Sequence, residues 1–128
     1  DLPNDLRQVM VNLMLNAIQA MQGPGKITIK ATLPTQEGVG KMDQPPDIQN
    51  LEVTLLDEGP GIADDELQMI FRPFYSTKIQ GTGLGLSIVK RIVDSRQWQI
   101  SVASVAAGGA LFTLTLPVNS HTFAQGTV

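Results

Sequence analysis

The stretch Leu51-Glu52-Val53-Thr54-Leu55-Leu56-Asp57-Glu58-Gly59-Pro60-Gly61 decides the fold. Leu51 to Leu56 is a short, mostly apolar run bounded by turn-forming residues, the pattern of a β-strand. Asp57-Glu58-Gly59-Pro60-Gly61 then breaks it, with glycines that let a backbone turn tightly and come close to another surface.

Upstream, Thr35 to Asn50 contains Gly38, Gly40, Pro45 and Pro46 and reads as a loop. Before it, Lys26 to Leu33 alternates polar and apolar residues as a half-buried strand does, and Pro34 ends it. Leu6, Val9, Met10, Leu13, Ala17 and Met21 recur at helical spacing, so a helix is expected from about Asn4 to Gln22, stopped by Gly23-Pro24-Gly25. Downstream, only a short helix, about Asp64 to Ile70, is expected before Gly83; an insert this long in a small domain is usually functional. Leu84, Ile88, Val89, Ile92 and Val93 predict a second helix over Leu84 to Val93. Two strands, Gln99 to Val105 and Ala110 to Pro117, close the chain as a hairpin through Ala106-Ala107-Gly108-Gly109. The expected organisation is one domain over 1–118 and a frayed tail over 119–128.

The 128 residues suffice for one core, and 42% are hydrophobic, which excludes a disordered chain. No apolar run approaches the roughly 20 residues of a membrane span, and Asp1 to Asp5 lacks the order of a secretory signal. Cysteine is absent, so disulfides, thiol catalysis and thiolate metal sites are excluded together. The net charge of −3 gives no positive field for nucleic acid, and none is expected as a partner. Yet Arg72, Lys78, Lys90, Arg91 and Arg96 face Asp94 alone between 72 and 96, a local +4 suited to an anion.

Four short motifs carry chemistry. Asn12 and Asn16, four apart in an apolar helix, project from nearly one face; their amide oxygens suit a hard ligand such as Mg²⁺, or equally bridge buried backbone groups. Asp57 at a strand end suits the exocyclic amine of a base such as adenine, or is an ordinary strand-to-turn aspartate. Phe71-Arg72-Pro73-Phe74-Tyr75-Ser76-Thr77-Lys78 mixes aromatics, cations and hydroxyls, and reads equally as a hydrophobic plug. Gly81-Thr82-Gly83-Leu84-Gly85-Leu86 sets unobstructed amides before a helix N-terminus, which favours phosphate; a hinge explains the glycines as well. It is neither the dinucleotide-binding G-x-G-x-x-G nor a Walker A loop.

The order of these motifs resembles the ATP-binding catalytic domain of bacterial sensor histidine kinases, in the GHKL superfamily with gyrase, heat-shock chaperone and mismatch-repair ATPases. Residues 12 to 17 are similar to its N box, 57 to 61 to its G1 box, 71 to 74 to its F box and 81 to 86 to its G2 box, and Phe112 to Pro117 to its closing strand. The resemblance covers about residues 5 to 117. It implies an α/β (α+β) sandwich, a mixed sheet with helices on one face and an ATP lid between the G1 and G2 motifs. It also implies ATP and Mg²⁺ as cofactors, with Asn16 on the metal and Asn12 beside it, both in catalytic roles. Asp57 would accept from the adenine amine, Gly59 and Gly61 would shape the pocket, and Thr113 would support it through its hydroxyl. Phe71 and Phe74 would anchor the lid, Lys78 would lie near the triphosphate, and Gly81, Thr82, Gly83, Leu84 and Gly85 would form the lid hinge and phosphate cradle.

In the family's ATPase branches a Glu stands four residues before the metal-binding Asn, as the base that activates water; here that position is Asn12, which cannot remove a proton. The resemblance therefore implies a protein-histidine kinase domain, with a nucleotide-responsive interaction module or an ATPase as alternatives. The implied acceptor is a histidine on a separate dimerisation domain of the parent, with a response regulator downstream. His121 has no acceptor-like context. The chain is expected to be a monomeric, cytoplasmic fragment, short at its own beginning, of a homodimeric parent anchored in the inner membrane. Gln19, Glu58, Trp98 and Ala110 depart from the family's usual residues.

Overall fold

The computed structural model describes residues 2–33, 48–72, 85–106 and 108–119. Its elements are α1 (Leu2–Met21), β1 (Ile27–Thr32), β2 (Ile48–Asp57), α2 (Gly85–Arg96), β3 (Gln99–Ser104) and β4 (Ala110–Asn119). The four strands form one sheet in the order β1-β2-β4-β3. Every pairing among them is antiparallel, where the resemblance implied a mixed sheet. Two of the three pairings join strands consecutive in sequence, β1 with β2 and β3 with β4, and the short turn between Ser104 and Ala110 permits only antiparallel partners. The second helix and β3 intervene between β2 and β4, which lie side by side with Val53 opposite Leu114 and Leu55 opposite Phe112.

The core follows from two periodicities. Val9, Leu13 and Ala17 of α1, four residues apart, form one buried stripe, and Val89 and Val93 form another on α2. In β4, Phe112, Leu114, Leu116 and Val118 alternate onto the helix-covered face, and Val53 and Leu55 of β2 join them. Each such side chain contributes roughly 1.5–3 kcal/mol relative to exposure. Phe71 closes one side, its ring meeting Phe112 edge-on at 6.4 Å and 84°.

The helices pack on each other antiparallel. Arg96 Nε, in the last turn of α2, donates to Asp5 Oδ2, in the first turn of α1, at 2.6 Å. Both end in left-handed residues, Gln22 (φ 54°) after α1 and Gln97 (φ 60°) after α2. After α2 the Trp98 N–H reaches Val93 O at 2.9 Å and the Gln97 N–H reaches Asp94 O at 3.2 Å, the two bonds of a Schellman cap. Trp98, unexplained in the sequence, is buried there with the Arg96 guanidinium 5.9 Å from its ring centroid.

The elements expected from the sequence are present, with ends shifted by a few residues, except one. Over 63–72 the chain makes successive turns instead of the short helix expected at Asp64 to Ile70. Bonds three residues apart, such as Glu66 N–H to Ala63 O at 2.9 Å, are interleaved with bonds four apart, such as Ile70 N–H to Glu66 O at 3.2 Å. Buried Ile70 pins this segment to the core.

Candidate nucleotide-binding site

Asp57 is the last residue of β2 and shares its parity with Val53 and Leu55, so its carboxylate points under the helices and is 1% exposed. Oδ1 accepts from the Gly59 N–H at 2.8 Å and the Ala110 N–H at 3.3 Å. Oδ2 is buried with no hydrogen-bond partner among the described residues. An unsatisfied buried acceptor costs roughly 1–3 kcal/mol, more when charged, so a donor entering beside Oδ2 is strongly favoured. The carboxylate is thus held by one oxygen and offers the other.

The turn between β3 and β4 encloses this carboxylate. Gly109 has φ +102°, and a Cβ there would collide with the main-chain oxygen of Asp57. Gly61, at φ +81°, lies where a Cβ would stand 3.2 Å from both Gly109 O and Ser104 Oγ. The positive φ favours glycine at both positions, and at Gly109 the space excludes any side chain as well. Gly59 fits between the Asp57 carboxylate and Ala20 of α1.

Asn12 and Asn16 lie on one flank of α1, both half-buried. The Asn12 amide nitrogen donates to Gln8 O at 2.9 Å, which turns its Oδ1 toward the start of α2, where a Cβ on Gly85 would stand 3.6 Å away. Asn12 and the first residue of α2 are therefore brought together. Asp57, Gly59, Gly61 and Phe71 are placed around the end of β2 and the core beneath it. Phe74, Lys78, Gly81, Thr82, Gly83 and Leu84 lie outside the described residues, as does His121.

Thr113 is not brought to the site. It pairs with Thr54 and Ser101 on the sheet face opposite Phe112 and Leu114, whereas Asp57 points to the helix side. On the helix side the Ala110 N–H, a backbone donor, supports Asp57 Oδ1 instead. The basic stretch also divides differently. Lys90 pairs with Asp94 at 2.9 Å and Arg96 with Asp5, leaving Arg72 and Arg91 as exposed cations of that stretch among the described residues.

Two contacts had no signal in the sequence. Glu58 Oε1 accepts from the Lys26 N–H at 2.9 Å, joining the loop after β2 to the entry of β1 and giving this unusual residue a role. Ser104 Oγ accepts from the Ile62 N–H at 2.8 Å and donates to Ile62 O at 2.5 Å across 42 residues of sequence.

The family profile described as histidine kinase-, DNA gyrase B- and HSP90-like ATPase matches residues 1–120. The chain belongs to that family. Among curated proteins it is 44% identical over 117 residues to the sensor histidine kinase ZraS of Escherichia coli O157:H7, an alignment covering 91% of this chain and 23% of ZraS. The chain thus spans less than a quarter of that relative's length. Among solved structures it is similar to the nucleotide-free catalytic domain of the histidine kinase ThkA, with TM-score 0.71 and 32% identity over 89% of this chain and 66% of that one. It is similar also to full-length ShkA in complex with AMPPNP, with TM-score 0.67 and 28% identity over 87% of this chain and 21% of that one.

Proposed function

We propose that this chain is the Mg-ATP-binding catalytic domain of a two-component sensor histidine kinase, transferring the ATP γ-phosphoryl group to a histidine on a separate dimerisation domain of its parent protein. The observation that carries the proposal is Asp57, whose buried Oδ2 has no donor among the described residues and suits the adenine amine. The kinase names of its relatives and the AMPPNP bound to ShkA support the same reading.

The residues divide the work between two ends. Asp57 orients the base, with Gly59 and Gly61 letting the backbone approach it. Asn16 would hold Mg²⁺ through its amide oxygen, with Asn12 beside it facing the start of α2. The metal, when bound, neutralises charge on the phosphates, and Lys78 and the stretch Gly81, Thr82, Gly83, Leu84 and Gly85 are proposed to hold the triphosphate. An amide at position 12 takes no proton from water, so the site favours positioning ATP for transfer over hydrolysing it. The proposed acceptor domain, a response regulator downstream, a homodimeric parent with its own membrane anchor and a cytoplasmic location belong to the same reading. No helix among the described residues is long and apolar enough to cross a membrane.

Radiolabelled Mg-ATP supplied together with a separately made acceptor domain tests the proposal. Label on the acceptor histidine is expected. Nucleotide binding without transfer would favour an interaction module, and steady phosphate release by this chain alone, abolished by Asn16→Ala, would favour an ATPase.

A further inference from the structure

We infer that Ser104 is a positioning residue for the nucleotide site, holding the backbone that follows Asp57 at the distance the base requires. The inference rests on the nucleotide-binding reading above. Regular pairing of β3 ends at Ser104, and the segment Gly61–Ile62 passes beside that end without joining the sheet. A hydroxyl both donates and accepts, and Ser104 Oγ uses both capacities on one residue, taking the Ile62 N–H at 2.8 Å and giving its proton to Ile62 O at 2.5 Å. One side chain therefore replaces the two backbone bonds that a further strand residue would have supplied.

This clamp fixes more than Ile62. The Ile62 side chain packs against the core, and Gly61 lies against Ser104 Oγ and Gly109 O together. Gly109 in turn abuts the Asp57 main chain, and the adjacent Ala110 N–H binds Asp57 Oδ1. The loop that leaves Asp57 is thus returned by Ser104 to the same hairpin that grips the Asp57 carboxylate. Ser104 is exposed, so water can take over the two Ile62 groups if the hydroxyl is removed. Stability then changes little, while the position of Gly61 relative to Asp57 is no longer set.

Titration of Mg-ATP into the wild-type chain, Ser104→Ala and Ser104→Thr, with thermal melting of each, tests this. The Ala variant is expected to bind roughly tenfold more weakly, about the worth of one to two hydrogen bonds, with its Tm within about 3 °C of wild type. The Thr variant, which keeps the hydroxyl, is expected to recover wild-type affinity. Unchanged affinity in Ser104→Ala, failure of Thr to restore it, or a loss that scales with a lowered Tm would each overturn the positioning role. If the wild-type chain binds and Asp57→Asn does not, while Ser104→Ala binds normally, only this inference falls. If the wild-type chain binds no Mg-ATP, the nucleotide reading falls and takes the inference with it.

Discussion

The end of β2 and the seam between α1 and α2 both bear candidate site residues, but they are built in different ways. At the end of β2 the geometry is set by backbone: a carboxylate between two N–H groups, a turn glycine against a main-chain oxygen, and a loop tied down by one hydroxyl. Along the helix seam it is set by side chains, with Asn12 bonded within its own helix and Asp5 reaching Arg96. Backbone geometry admits little substitution, whereas a side-chain seam tolerates repacking. Mutations at the end of β2 should therefore alter nucleotide binding, with or without a loss of stability, and those at the far end of the seam stability alone.

The largest effect is expected from Gly109→Ala. Its methyl group would enter the space of the Asp57 carbonyl at a positive φ, so we expect a loss of at least about 3 kcal/mol in urea unfolding, with nucleotide binding lost as well. Next, Arg96→Ala removes a half-buried ion pair and the cation over Trp98, at a cost of about 1–2 kcal/mol. Because that contact lies at the opposite end of α2 from Gly85, Mg-ATP affinity should not change; a tenfold loss of affinity would break the division between the two regions. Gln97→Gly should act in the opposite direction. It relieves a left-handed cap and is expected to stabilise the chain by about 0.5–1 kcal/mol, seen as a raised Tm, again with binding unchanged.

Much of this was legible in the sequence because it depends on local periodicity. The stripe Val9, Leu13, Ala17 located the core-facing surface of α1, and Gly23-Pro24-Gly25 located its end. Asp57 was legible because a carboxylate after an apolar strand and before two glycines is locally unusual. What failed depended on contacts between distant segments. Thr113 lies on the wrong face because its neighbours Phe112 and Leu114 take the core, a consequence of parity that appears once β4 is paired with β2. The turns over 63–72 stand where a helix was expected, in a segment whose Ile70 and Phe71 pack against distant parts of the core. Ser104 and Glu58 join residues 42 and 32 positions away, and no local pattern announces such a pair.

The central claim is that the free oxygen of Asp57 reads the base. Calorimetric titration of Mg-ATP into the wild-type chain and Asp57→Asn, with folding of both verified by circular dichroism, tests it most directly. The variant preserves shape but replaces the carboxylate with an amide, so binding by the wild type and at least a roughly tenfold loss in the folded variant are predicted. Equal affinity in the two folded proteins would contradict the account.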